Sequence, residues 1–129
     1  MSRYVHLELP LRLDEAVEAL AQLELTPTRG LHGGRIMLDG SLECAGEPVD
    51  LRLAAGVCGS VEDFGLVFND GRCSLVCGDV DQRRLEREFL NPLLTKVSEA
   101  RIRAGLAPGE TIETSVEADG TRRIVIRRD

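Results

Sequence analysis

The chain has 129 residues, a formal net charge of −6 and only four aromatic side chains. Its length predicts one domain over residues 1–129, because a chain of this size buries roughly two-thirds of its unfolded surface. The small number of aromatic residues predicts an aliphatic core. The negative charge argues against general nucleic-acid binding, which depends on clustered Lys and Arg. No apolar run follows Met1-Ser2-Arg3, so we expect neither a signal peptide nor a membrane span, and a cytoplasmic protein.

The first two predicted elements are a strand and a helix. Residues 4–9 alternate apolar with polar side chains, which is typical of a strand with one buried face. Apolar residues then recur at helical spacing over 13–23, and Asp14 is the predicted N-cap because its carboxylate can accept unpaired backbone N–H groups. A glycine-rich loop over 26–34 follows this helix.

Three Asp-Gly pairs predict hairpin turns, because glycine adopts the positive φ that a tight turn needs. At Asp70-Gly71 a two-residue turn pairs Asn69 with Arg72 and makes one face of the hairpin apolar throughout. At Asp119-Gly120 a three-residue loop aligns Ile112 with Ile126.

The strands around Asp39-Gly40 are less determined by the pattern. The pairing of residues 36–38 with 41–44 stays open, because the alternation fits more than one register. A loop over 45–48 would let Cys44 face Val49 and Leu42 face Leu51.

A second, longer helix is predicted from about residue 81 to residue 104. Asp79 or Asp81 is expected to cap its start, and Gly105 suits its end. Pro92 lacks a backbone N–H and crowds the preceding turn, which predicts a kink or a late helix start. The element order is strand, helix, about five strands, helix and hairpin. It predicts a single α+β domain, mainly an antiparallel sheet of hairpins with two helices on one face.

The last predicted strand carries a group of four arginines, Arg122, Arg123, Arg127 and Arg128. They suit the solvated edge of a sheet, where charge prevents unwanted strand pairing. They also suit a surface that docks a partner by charge or by strand addition, and these are the predicted partner-binding residues.

The four cysteines are spaced poorly for a metal site. Only Cys73 and Cys77 are close, and on a strand they lie about 13 Å apart along the chain, whereas zinc ligands converge on one ion. We therefore predict buried apolar thiols, with no metal and no cofactor. A metal or iron–sulfur carrier that uses all four cysteines, Cys44 and Cys58 included, remains the second alternative.

The sequence shows no catalytic constellation, and no catalytic residue is predicted. One alternative is a small-ligand-binding or enzymatic domain, with a site between the sheet and the 26–34 loop. Its polar groups would be Tyr4, His6, Glu8 and His32.

Three segments carry a resemblance to a known family: Asp-Phe-Gly-Leu-Val-Phe-Asn-Asp-Gly over 63–71, Glu-Arg-Glu-Phe-Leu-Asn over 86–91, and Glu-Ala-Asp-Gly-Thr over 117–121. With the opening strand and helix, they resemble a short bacterial and plastid family that includes the hypothetical chloroplast open reading frame thirty-five proteins. The chain differs in carrying Pro92 and in lacking Trp after residues 73–77.

The resemblance implies a protein partner, with an AAA-type ATPase as the candidate, because family members are often encoded near such ATPases and near small ferredoxins. It supplies no catalytic residues. The leading prediction is therefore a small non-enzymatic adaptor or subunit in the cytoplasm, and a homodimer is a related prediction.

Overall fold

The computed structural model describes residues 4–40, 46–106, 109–116, 118 and 122–128. The helices are α1 (Leu13–Gln22), α2 (Gln82–Leu85) and α3 (Asn91–Ala104), with a π-helical segment at Glu86–Leu90 between the last two. The strands are β1 (Tyr4–Leu9), β2 (Ile36–Met37), β3 (Pro48–Val49), β4 (Leu51–Leu53), β5 (Phe64–Asn69), β6 (Arg72–Gly78), β7 (Glu110–Val116) and β8 (Arg122–Arg128). None of the helices in these ranges is both long and apolar enough to cross a membrane.

A four-stranded antiparallel sheet in the order β1-β6-β5-β4 forms the centre of the fold, and the pairs β2-β3 and β7-β8 form separate two-stranded sheets. The predicted α+β class with antiparallel hairpins is confirmed. Its two predicted helices are α1 and the continuous run from α2 through the π-helical segment to α3. The register at Asp70-Gly71 is also confirmed, since Asn69 lies opposite Arg72. Both turn residues have positive φ, 49° and 77°, which matches the twist of the flanking strands.

The main core lies between this sheet and the helices. On β6, Cys73, Leu75 and Cys77 are fully buried, because alternate residues of a strand share one face. Phe64 of β5 meets Phe89 of the π-helical segment edge to face, with ring centroids 4.9 Å apart and an interplanar angle of 75°. This aliphatic core with one aromatic contact matches the composition, and it orients both helices over one side of the sheet.

The opposite side of the sheet carries a smaller apolar cluster of Leu38, Val49 and Val76. The β2-β3 pair covers it, with Ile36 opposite Val49. A Cβ on Gly65 would lie 2.7 Å from Val49 Cγ2, so only glycine lets β3 approach β5 this closely.

The predicted loop over 45–48 is corrected by this pairing. Pro48 is a strand residue opposite Met37, and Leu51 lies opposite Leu66. Proline favours turns, but it is also tolerated as the first residue of a strand. Cys44 and Leu42, the partners predicted for Val49 and Leu51, lie outside the described residues.

The start of α1 also differs from its prediction. Arg12 occupies the N-cap position and Asp14 lies in the first turn. The Arg12 backbone N–H donates to Glu15 Oε1 at 2.9 Å, so Glu15 satisfies the backbone where Asp14 was expected to. Both carboxylates still suit this end of a helix, since its dipole favours negative charge there.

The kink predicted at Pro92 appears as the π-helical segment just before it, and Pro92 stands in the first turn of α3. A wider turn accommodates the missing N–H. Asp81 is the N-cap residue of α2, but its side chain makes no capping hydrogen bond. Its carboxylate accepts the backbone N–H groups of Val61 and Glu62 instead, which corrects the capping prediction for Asp81. The helix ends at Ala104, before Gly105, as predicted.

Candidate functional site: the C-terminal hairpin

The β7-β8 hairpin has the register that the sequence predicts, with Ile112 opposite Ile126 and Thr114 opposite Ile124. The alternate pairs are polar or mixed, such as Ser115 with Arg123. Because successive residues of a strand alternate between faces, one face of the hairpin is mostly apolar and the other mostly polar. The turn at Asp119-Gly120 lies outside the described residues.

Both faces of the hairpin are open to solvent at the middle of β8. Ile126 is 51% exposed and its neighbour Val125 is 38% exposed, although neighbouring strand residues point to opposite faces. An isolated two-stranded hairpin is at best marginally stable in water, so apolar residues on such a hairpin gain from a further covering surface. This exposure distinguishes the hairpin from the central sheet, whose apolar residues are mostly buried.

The register divides the four predicted partner-binding arginines between the two faces. Arg123 and Arg127 are exposed and stand opposite Ser115 and Thr111 on the polar face. Arg122 and Arg128 stand in the alternate register, opposite Val116 and Glu110, at the two ends of the strand. The arginines therefore frame the apolar residues of β8 along the chain and do not form a single strip.

Three of the four residues of the ligand-binding alternative have separate contacts. His6 Nε2 lies 2.8 Å from Glu47 Oε2, and Tyr4 packs against the small apolar cluster. Glu8 Oε1 lies 3.8 Å from Arg72. His32 is exposed, with a φ of 57°, in a short 3₁₀ turn. Period-two alternation places Tyr4, His6 and Glu8 on one face of β1, as predicted.

An open cleft of about 560 Å³ lies where β1, α1, the β5-β6 turn and the end of α3 meet. Its charged lining consists of Glu8, Arg12, Glu15, Arg72 and Arg101. Glu15 accepts two hydrogen bonds from Arg101, at 2.6 and 2.9 Å, and the same guanidinium donates to the Pro10 carbonyl. The bonds from Arg101 hold the pKa of Glu15 at about 2 despite its burial. Arg12 likewise lies 3.2 Å from Asp14, so these arginines are already engaged by carboxylates and the cleft offers little charge to a ligand.

The cysteine prediction is confirmed for two of the four residues. Burial raises the pKa of the Cys73 and Cys77 thiols to about 12, which keeps them protonated and unreactive. Cys58 is half-buried on a 3₁₀ turn, not on a strand, and Cys44 lies outside the described ranges. Within those ranges, no group of three or more His, Cys, Asp and Glu side chains is placed to hold a metal ion.

Carboxylates meet at the end of the sheet where β5 begins and β6 ends. We name four residues there the acidic end: the carboxylate-bearing Glu62 and Asp81, and the valines beside them, Val61 and Val80. Asp81 is buried, and its two oxygens accept the Val61 and Glu62 N–H groups at 2.8 and 3.0 Å. Glu62 Oε2 is buried and has no hydrogen-bond partner among the described residues. Burial raises the pKa of Glu62, and the nearby Asp81, Asp63 and Asp79 raise it further.

The sequence itself contains a signal for this cluster. Glu62 and Asp63 precede β5 directly, and Asp79 and Asp81 follow β6. The hairpin at Asp70-Gly71 makes the two strands antiparallel, so both pairs of carboxylates lie at the same end of the hairpin.

Asp63 is a carboxylate of this region that is paired with an arginine and accepts backbone N–H groups. It accepts Arg52 Nε at 2.8 Å and the backbone N–H groups of Asp39 and Gly40 at 2.6 and 3.1 Å. The same guanidinium reaches Asp39 Oδ2 at 2.7 Å. This network fastens the chain after β2 to the sheet, and its role is structural.

Comparisons of the chain with protein-family models, with curated proteins and with solved structures find no match.

Proposed function

We propose that this protein is a small non-enzymatic adaptor or subunit that binds a protein partner through the β7-β8 hairpin. The observation that carries the proposal is the solvent exposure of Val125 and Ile126 on opposite faces of a two-stranded sheet whose last strand begins and ends with arginines. The proposed location is the cytoplasm.

The chemistry of the hairpin suits an acidic partner surface. Apolar area supplies affinity at the centre of an interface, and charged residues at its rim set the association rate and the choice of partner. β8 carries four arginines on seven residues, so a partner with carboxylates around an apolar patch would be complementary. The outer edge of either strand can also accept a further strand by backbone hydrogen bonding.

The resemblance to the bacterial and plastid family suggests an AAA-type ATPase as that partner. This part of the proposal depends on association between neighbouring genes in that family. In this proposal, the central sheet with its helices would be the body of the adaptor, and the hairpin would be the element that contacts the ATPase.

The test is affinity capture from native extract with quantitative mass spectrometry. The wild type is compared with a variant in which Arg122, Arg123, Arg127 and Arg128 are all changed to Glu. A matched control changes four exposed arginines elsewhere to Glu, so that the net charge is the same: Arg29, Arg83, Arg87 and Arg103.

We expect the hairpin variant to lose a partner that the wild type and the control both retain, by at least about tenfold in recovered amount, the scale of one lost interface contact. Binding of the purified partner to each variant then establishes that the contact is direct. A partner set that does not differ between the hairpin variant and the control would contradict the proposal.

A further inference from the structure

We propose that the outer edge of β1 is an interaction surface, and that its occupant is β1 of a second copy of this chain, paired antiparallel about a two-fold axis at Leu7. The four-stranded sheets of the two copies would then join into one continuous sheet. This surface belongs to the central sheet, whereas the proposed function uses the β7-β8 hairpin, so the inference goes beyond that function.

The two edges of the central sheet differ in what lies beside them. At the β4 edge, Thr28 and Arg52 exchange two backbone hydrogen bonds, at 2.8 and 2.9 Å, which cover a strand of only three residues. β1 has six residues and lies at the opposite edge, and β6 is its one strand neighbour in the part of the chain that the structure describes. Because backbone groups point alternately to the two sides of a strand, β1 offers N–H and C=O groups to a further strand.

β1 also lacks several of the features that protect sheet edges from pairing. Edge strands are commonly protected by lysine, by proline or by a bulge. Tyr4–Leu9 contains neither Lys nor Pro, and its register with β6 runs without interruption. β8, by contrast, begins and ends with arginines, and like charges disfavour its pairing with a copy of itself.

The side of β1 that faces the helices is incompletely covered. Val5 and Leu7 are half-buried there and pack against the main core, whereas their cross-strand neighbours on β6, Cys77 and Leu75, are fully buried. The difference follows from position, since β6 has a strand on either side. A strand added beside β1 would cover Val5 and Leu7, and this burial of apolar surface would supply affinity.

The sequence of β1 is complementary to itself about Leu7. Directly opposite residues of antiparallel strands share a face, so Leu7 would lie beside Leu7 of the second copy, and Val5 beside Leu9. On the other face, His6 would lie beside Glu8, and symmetry makes this pair twice. An axis at His6 would instead place the two imidazoles opposite each other, which disfavours that register when they are protonated.

The polar pair can form without breaking the contacts that its members already make. His6 Nε2 lies 2.8 Å from Glu47 Oε2, and the second ring nitrogen can serve another contact. Glu8 is mostly exposed, and its Oε1 lies 3.8 Å from Arg72, which is longer than a hydrogen bond. The axis runs through β1 itself, so the contact is isologous and requires no second surface of the chain.

The experiment combines analytical ultracentrifugation of the wild type with disulfide trapping of cysteine variants. His6→Cys and Glu8→Cys alter two exposed positions that the proposed register sets opposite each other. Opposite Cα atoms of antiparallel strands lie about 4.5–5.5 Å apart, within the span of a disulfide. Glu18→Cys, on the exposed side of α1, is the matched control. Each variant is oxidised alone and in mixtures, intact mass measures the covalent dimers, and thermal unfolding verifies that each chain is folded.

We expect the wild type to dimerise reversibly. The mixture of His6→Cys with Glu8→Cys should give at least about tenfold more covalent dimer than either variant alone, because identical positions are then diagonal neighbours beyond the reach of a disulfide. Mixtures that contain Glu18→Cys should give no more covalent dimer than the oxidised wild type.

Three outcomes overturn the inference: a wild type that stays monomeric at every concentration, a mixture of the two β1 variants that cross-links no more than the control, and cross-linking of His6→Cys alone as readily as the mixture. The last outcome would place the axis at His6 and refute the proposed register.

Discussion

The two ends of β6 differ in whether the carboxylates near them are paired with cations. At its first end, Arg72 and Cys73 line the cleft in which Glu15 is held by Arg101. At its last end, Gly78 leads into the acidic end, where Glu62 lies among other carboxylates. The Glu15 carboxylate at the cleft therefore contributes to the stability of the fold, whereas the Glu62 carboxylate at the acidic end opposes it. A group that costs folding energy is a better candidate for binding than one already satisfied within the chain.

The contrast is sharpest between two consecutive residues. Asp63 is buried and bound by Arg52 and two backbone N–H groups, whereas Glu62 has a buried oxygen with no partner among the described residues. Substitutions that remove the charge of Asp63 and of Glu62 should therefore change the free energy of unfolding in opposite directions.

Asp63→Asn should destabilise the protein by about 3 kcal/mol, the low end of the cost of breaking a buried ion pair. The low end applies because Arg52 keeps Asp39 as a second carboxylate. The measurement is urea unfolding at pH 7, with an unchanged slope to show that the same surface is exposed. Asp39→Asn is the control, since that side chain is mostly exposed and its loss should cost less than about 1 kcal/mol. Equal effects of the two substitutions would contradict the role assigned to Asp63.

Glu15→Gln should cost about 1 kcal/mol at pH 7, because Arg101 is half exposed and solvent screens its contribution. The pKa of Glu15 is lowered to about 2 from its ordinary value of 4.5. A lowered pKa gives stability that is present above the ordinary value and is lost as the pH falls towards the folded value.

The difference in the free energy of unfolding between the wild type and Glu15→Gln should therefore shrink as the pH falls from about 4.5 to 2. Unfolding of both proteins in urea at several pH values measures it. Arg101→Gln removes the same contact from the other side and should flatten the same part of the profile. A difference that stays constant over this range would show that the ion pair is not its source.

The β5-β6 and β7-β8 hairpins could be predicted from the sequence because their signals are local. Asp70 and Gly71 fix both the turn and the register of β5 with β6, and the positive φ of both residues is the physical reason. The burial of Cys73 and Cys77 follows from the same alternation.

The hydrogen-bond partners of the carboxylates could not be predicted in the same way. Asp81 binds Val61 and Glu62, which lie 20 and 19 residues earlier, and capping propensity alone points to the nearer helix. Glu15 depends on Arg101, 86 residues away. Such pairings are set by how the helices pack on the sheet, which composition and periodicity do not specify. The division of the hairpin arginines between two faces was accessible from the register, and it follows once strands β7 and β8 are aligned.

Glu62→Gln should act in the opposite direction to Asp63→Asn and raise the free energy of unfolding at pH 7 by up to about 1 kcal/mol, the scale of a partly exposed charge interaction. Burial and the neighbouring aspartates raise the pKa of Glu62, so its ionised form costs stability at pH values above its ordinary range. Well below the ordinary value of 4.5, Glu62 is neutral in the folded and in the unfolded chain, and the gain should disappear. Urea unfolding at pH 7 and at acidic pH measures both values.

The matched control for Glu62 is Glu18→Gln on the exposed side of α1, which should change the stability at neither pH. A stabilised protein at pH 7 would mean that the Glu62 carboxylate is kept at the acidic end at a cost to folding. A destabilised protein would instead place Glu62 with Asp63 among the groups that hold the fold together, because its charge would then have to be satisfied within the chain.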